Sequence, residues 1–352
     1  MARIFVTGGS GLIGRALVAR LLERGDQVVA LARSDGAAQV LAELANGAGG
    51  GGAGEARRAP GATIEVRRGE ITEEAGLADA MRGCDLAFNL AGVNTLCVAD
   101  PEPMRRANVD GAAAFVRAAA RAEVPRVVHT SSAATLGEAQ GTIGNEWSRH
   151  RGWYLSTYER TKTEGERAAL AAARDLGQDL VCVNPSSVQG PGRSGGTARF
   201  LLAFLDGRLK VFVPTNVSLV DIGDCIEGHL LAAERGVSGE RYVLCGMTLT
   251  IEQALALAAD VAGVERTPRM LPRPLASIAA TAVERGFRLA RREPPVCREM
   301  VQTLLHGHRY DGSRAERELG LRYTEPRETL LRTVEWARSA GLLRGAARPS
   351  GA

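Results

Sequence analysis

Lysine is nearly missing from this chain. Of its 352 residues, 44 are Lys or Arg, and only Lys162 and Lys210 are lysine. Aromatic residues make up 4%, so Ala, Leu and Val have to fill most of any core. No apolar run reaches the roughly 18 uninterrupted residues that a membrane span needs. The start, "MARIFVTGG", passes straight into an apolar strand pattern, without the apolar region and cleavage site of a signal peptide. A cytoplasmic protein without a membrane span is expected. The six cysteines (Cys84, Cys97, Cys182, Cys225, Cys245, Cys297) include no C-x-x-C pair, and no histidine stands at zinc-finger spacing from them. Reduced thiols, mostly in the core, are therefore expected. "HGH" at 306–308 would put two rings on one face if it lay on a strand. With no carboxylate or cysteine beside it at useful spacing, no metal is expected. The net charge of +4 comes from arginines interleaved with glutamates, as on solvated helix faces, which argues against a nucleic acid partner.

What is present is an alternation. Short apolar runs at 3–8, 27–32, 62–69, 85–92, 126–132 and 180–187 read as strands. Helical patterns at 11–25, 35–45, 74–82, 102–121 and 157–176 lie between them. Strands alternating with helices imply a parallel sheet covered on both faces, a doubly wound α/β fold. After about residue 190 the rhythm loosens into helices with short strands such as 241–246. This division predicts a dinucleotide-binding domain over 1–190 plus about 216–250. A smaller C-terminal α/β substrate lobe follows from about 191–215 and 251–345, with a tail at 346–352. The low-complexity stretch 46–62, "NGAGGGGAGEARRAPGA", reads as a flexible surface loop.

"TGGSGLIG", Thr7–Gly14, sits between the first strand and the first helix, the context in which such a glycine motif is informative. Gly8 allows the tight turn, Gly11 a close approach to a pyrophosphate, and Gly14 close packing of helix on sheet. The helix N-terminus then offers free N–H groups to phosphate. The second strand ends at Ala32, Arg33 and Ser34, with no acid to accept from a ribose 2′-hydroxyl. A guanidinium there suits a 2′-phosphate, which points to NADP(H), with NAD as the alternative.

Tyr158 and Lys162, four residues apart in "STYERTK", share one helix face. A nearby ammonium lowers a phenol's pKa from near 10 and equips it to exchange protons. The compact ammonium also donates to a ribose hydroxyl in a way a guanidinium does not, a reason for a lysine in an arginine-rich chain.

With these motifs the chain resembles the extended branch of the short-chain dehydrogenase/reductase superfamily, the NAD-dependent epimerase/dehydratase group. "HTSSAATLG" matches that group's S-S-A-x-x-x-G form and selects Ser132 as the hydroxyl that holds a substrate carbonyl. "RANVDGA" matches its N-V-x-G segment, so the resemblance implies that Asn108 supports the Ser132–Tyr158–Lys162 geometry. It further implies cofactor contacts from Gly8, Ser10, Gly11, Leu12, Ile13, Gly14, Arg33, Glu70, Ile71, Leu90, Ala91, Gly92, Tyr158, Lys162, Pro185, Ser187 and Val188. Glu70 stands where an aspartate is common, and Asn184 where "R-P-x-x-V-x-G-P" has arginine. The nearest subgroups in pattern are dihydroflavonol-reductase-like proteins and the hopanoid-associated sugar epimerase group.

The activity so implied is hydride transfer between nicotinamide and a ketone or aldehyde, or its alcohol, with Tyr158 as acid and base. A sugar-nucleotide epimerase or dehydratase with retained NAD is the alternative, and a non-catalytic dinucleotide sensor a further one. Asn94, Thr95, Thr135, Trp153 and Gln189 are the candidate substrate contacts. The resemblance also allows a homodimer through the helices at 102–121 and 157–176.

Overall fold

The alternation becomes one seven-stranded sheet. The computed structural model describes residues 1–47, 58–290, 292, 294 and 296–343. Its strands are β1 (Arg3–Thr7), β2 (Gln27–Ala32), β3 (Thr63–Arg68), β4 (Leu86–Asn89), β5 (Val127–Thr130), β6 (Leu180–Pro185), β7 (Ser187–Gln189), β8 (Val211–Phe212), β9 (Asn216–Asp221), β10 (Arg241–Leu244), β11 (Met247–Thr250) and β12 (Arg269–Met270). The main sheet runs β10-β6-β5-β4-β1-β2-β3, with every pair parallel. The order reverses between β1 and β4, and at such a switch point the strand ends leave a crevice for a ligand.

The helices are α1 (Leu12–Glu23), α2 (Asp35–Ala45), α3 (Glu74–Met81), α4 (Glu102–Arg105), α5 (Gly111–Arg121), α6 (Thr157–Leu176), α7 (Thr197–Leu205), α8 (Ile222–Arg235), α9 (Ile251–Ala262), α10 (Arg273–Leu289), α11 (Arg298–His306) and α12 (Pro326–Ser339). One face of the sheet buries Leu17 and Leu21 of α1, Leu41 of α2 and Leu230 of α8. The other buries Met81 of α3, Phe115 and Ala119 of α5, and Ala169 and Ala173 of α6. Small side chains on α5 and α6 let both helices lie close to the strands, which is how a chain poor in aromatics fills its core. A separate apolar cluster joins α7, α9 and α12 through Phe204, Leu255 and Val334. No helix among the described residues is long and apolar enough to cross a membrane.

Two features depart from expectation. Strands β7, β9 and β11 form a second, mixed sheet. Their three-to-six-residue runs carry too little periodicity to stand out from loops. The second departure corrects the cysteine reading. Cys97 and Cys297 form a disulfide with Cα atoms 5.7 Å apart across 200 residues of chain. Sequence spacing has no way to register a pairing that only the packing of α11 against the loop after β4 creates. Cys84, Cys182, Cys225 and Cys245 are free and buried, as expected. Most of the glycine-rich stretch (48–57) and the tail lie outside the described residues.

Candidate active site

The glycine loop closes the switch point from one side. Gly8 has φ +68°, and a Cβ there would meet the Leu90 carbonyl carbon at 2.6 Å, so β1 turns directly against the end of β4. A Cβ on Gly14 would come within 2.0 Å of the Gly8 oxygen. The third glycine thus packs α1 onto the loop's own backbone rather than onto the sheet. The Gly11 N–H bonds the Gly8 carbonyl at 2.9 Å. Helix α1 has no side-chain cap and no acid in its first turn, so its N-terminal N–H groups stay open for an anion. Beneath the loop, the Thr7 hydroxyl donates to Asn89 Oδ1 at 2.7 Å and accepts from the Ala91 N–H, while Asn89 Nδ2 meets His129 Nδ1 at 3.1 Å. Burial, with help from the Lys162 charge, pushes His129 down to about 3 and keeps it neutral.

Arg33 stands exposed just past β2 and has no carboxylate partner among the described residues. Ser34 caps α2, and Asp35 pairs with Arg68 at 3.0 Å. Glu70 is exposed, whereas Ile71 is buried against Gly111 at the start of α5.

Helix α6 carries the reactive pair. Ser156 caps it by accepting from the Glu159 N–H at 3.1 Å, which places Tyr158 in the first turn and Lys162 one turn further. The Ser132 hydroxyl faces the Tyr158 phenol and favours its ionised form. Lys162 Nζ, 7% exposed, donates to the Thr130 carbonyl at 2.8 Å. Thr130 in turn meets His229 Nε2 through its hydroxyl at 2.9 Å. Asn108 lies in a wide π turn at Arg106–Asp110, where Oδ1 accepts from the Val93 N–H and Nδ2 donates to the Val93 carbonyl and to Thr161. It fastens the loop after β4 to α6. Gly165 makes this possible, because a Cβ there would lie 2.0 Å from the Asn108 carbonyl oxygen.

The electrostatics correct one expectation. Burial holds the Tyr158 phenol above its ordinary value, with the Ser132 hydrogen bond and the Arg193 charge opposing it. The opposing cation is Arg193, whose guanidinium bonds the Val188 carbonyl; the Lys162 ammonium is turned toward Thr130. Burial also lowers Lys162 to about 8 against the pull of Glu166.

A second layer was not legible beforehand. Asn184, fully buried, donates to the Ser132 carbonyl at 3.2 Å, to Thr135 at 2.9 Å and to Glu166 at 2.5 Å. Arg241 neutralises Glu166 at 3.1 Å. The substitution of asparagine for arginine was the one signal pointing here. Thr135 belongs to this layer: at 3% exposure its hydroxyl bonds the Ser132 carbonyl and Glu166, so it braces Ser132. Gln189 is likewise buried and donates to Ser187 and Thr197. Asn94 and Thr95 are exposed on the loop after β4. Trp153 is 56% exposed, with Arg151 over its ring. His306 and His308 do come together, but across the left-handed Gly307 that ends α11 rather than along a strand. The fold also supplies the carboxylate missing from the sequence neighbourhood: Glu138 Oε1 lies 2.6 Å from His308 Nδ1 and 3.3 Å from His306 Nε2. This buried cluster joins the segment after Ser132 to the end of α11.

Comparison with known proteins bears on the family and the fold. A family model described as "NAD dependent epimerase/dehydratase family" matches residues 4–245. Sterol demethylase protein B of Methylococcus capsulatus is 33% identical over 96% of this chain and 99% of its own. A putative dihydroflavonol 4-reductase of Synechocystis is 30% identical over 97% and 96% of the respective chains. The crystal structure of gox2253 superposes with a TM-score of 0.81 at 27% identity, covering 98% of this chain and all of that one.

Proposed function

The chain belongs to the NAD dependent epimerase/dehydratase family, and from that premise we propose that it is an NADP(H)-dependent oxidoreductase interconverting a ketone or aldehyde with its alcohol. The observation that carries this reading is the Ser132 hydroxyl set against the Tyr158 phenol, with Lys162 one turn along the same helix. The open N-terminus of α1 and the close turn at Gly8 fit a dinucleotide, with Gly8, Gly11, Gly14 and the 90–92 backbone around its phosphates and Arg33 at a 2′-phosphate. When bound, the nicotinamide supplies or takes up the hydride. Ser132 donates to the carbonyl oxygen and offsets the negative charge that develops there. Tyr158 gives its proton to the same oxygen. A phenol is protonated at neutral pH and burial favours that form further, so the resting site is set for reduction. The names of the two relatives, one a sterol protein and one a dihydroflavonol reductase, favour a bulky ring-bearing substrate.

The direct test is the nucleotide released from freshly purified protein on denaturation, followed by turnover with each reduced cofactor. An empty protein that uses NADPH in preference to NADH is expected, and Arg33→Asp should reverse the preference. Near-stoichiometric retained NAD would instead establish the epimerase or dehydratase reading.

Lys162 makes a pH prediction. Its folded pKa of about 8 lies below the ordinary 10.5, so the site loses its ammonium as pH rises through about 8. Reductive kcat/KM is expected to fall above that pH. Between the two values the unfolded chain binds more protons than the folded one, so this group's contribution to stability rises with pH over the same window. A pH–rate profile measures the fall directly. A flat rate profile would remove Lys162 from the chemistry.

A further inference from the structure

Helix α10 presents an apolar face to solvent. Leu275, Ile278, Val283, Phe287 and Leu289 are 53%, 66%, 37%, 37% and 86% exposed. Ala279, Ala282 and Gly286 between them are exposed as well. At 100° per residue, Leu275, Ile278, Ala279, Ala282, Val283, Gly286 and Leu289 form one continuous stripe along the whole helix. The helix has a different face for the protein: Ala276 and Ala280 are buried against Val301, Leu305, Val213 and Leu271. The solvent stripe is thus a second apolar face with nothing of this chain upon it among the described residues. Singly exposed apolar side chains are ordinary, but a stripe of this length is not.

Charge identifies the partner. Arg285 stands beside the stripe, exposed and without a carboxylate partner among the described residues, and Arg292 is exposed just beyond the helix end. Glu284, the one acid of the helix, is turned the other way and accepts from the Arg298 N–H at 2.7 Å. An apolar stripe flanked by arginine, with its acid turned inward, has the build of a helix that lies in the plane of an anionic lipid surface.

The position in the fold adds to this. Helix α10 packs on α11, whose N-cap Cys297 is bonded to Cys97 in the loop that carries Asn94 and Thr95. A bilayer docked on α10 would therefore lie beside the substrate side of the crevice. We propose that α10 docks the protein on the surface of an anionic membrane, so that apolar substrate enters from the lipid. The docking itself does not depend on the reaction assigned above.

The test is co-sedimentation of the full chain with vesicles of phosphatidylcholine containing phosphatidylglycerol, against phosphatidylcholine alone and at rising salt. The expected result is binding to the anionic vesicles that weakens with salt. The double variant Ile278→Glu, Leu289→Glu should bind about a hundredfold or more weakly, since each side chain buried in lipid is worth at least about tenfold. Both positions are exposed, so the variant should keep its thermal midpoint; Arg285→Glu is the milder control and should weaken only the preference for anionic vesicles. Failure of the native protein to sediment, or equal binding by the double variant, would overturn the proposal. So would a dimer in solution that does not sediment with vesicles and that the double variant dissociates, because the stripe would then belong to a second copy.

Discussion

Replacing Tyr158 with phenylalanine is expected to lower kcat by about two to four powers of ten, the range for removing a positioned general acid. The ring stays, so the packing of the first turn of α6 is kept and the effect falls on proton transfer. No other hydroxyl takes over. Thr161 donates back to the Tyr158 carbonyl, and Thr135 is tied to Ser132 and Glu166. Ser132 is itself the partner of the lost phenol and has no proton relay behind it among the described residues. Steady-state turnover with NADPH and a panel of ring-bearing ketones measures the effect, with unchanged cofactor binding as the check that the fold is intact. Turnover at the native rate would mean that the phenol does not protonate substrate. In that event Arg193, whose charge acts on the phenol, would be the next group to examine.

Reduction of the Cys97–Cys297 bond is the other large effect. Closing a loop of 200 residues removes so much freedom from the unfolded chain that the chain-entropy account assigns it on the order of 5 kcal/mol, with about 2–4 kcal/mol the usual yield. Cys297→Ser should lower the urea midpoint accordingly, and dithiothreitol should do the same to the native protein but not to the variant. The local contacts argue that the change also reaches the site. Glu299 accepts from the Cys97 N–H at 3.1 Å through one oxygen and from the Thr157 N–H through the other. The cross-link thus holds α11 against both the loop after β4 and the residue before Tyr158. Thiol titration of the unfolded protein provides the count: four free cysteines before reduction, six after. Six before reduction, or equal midpoints, would show that the two thiols stand unbonded.

How much of this was legible beforehand depends on how far apart the cooperating residues lie in the chain. The seven-stranded parallel sheet, the glycine loop and the Tyr158–Lys162 pair are local patterns. A strand, a turn and a helix each declare themselves within about ten residues, because periodicity and turn chemistry act over that distance. Ser132 and Asn108 needed the family resemblance, since a single hydroxyl or amide carries no periodicity. Their partners could not be read at all. Asn184 reaches Glu166 and Thr135, Glu138 reaches His306 and His308, and Cys97 reaches Cys297, each across separations that no local rule spans.

The state of the Tyr158 proton shows the same division. Spacing alone suggested an ammonium depressing the phenol's pKa, because four residues on a helix bring two side chains to one face. Tertiary packing then turned Lys162 toward the Thr130 carbonyl and enclosed the phenol, so burial outweighs any help from a cation. Sequence by itself determined which groups stand on which element. Only the tertiary structure decided which of them meet, because desolvation and close packing depend on every neighbour at once.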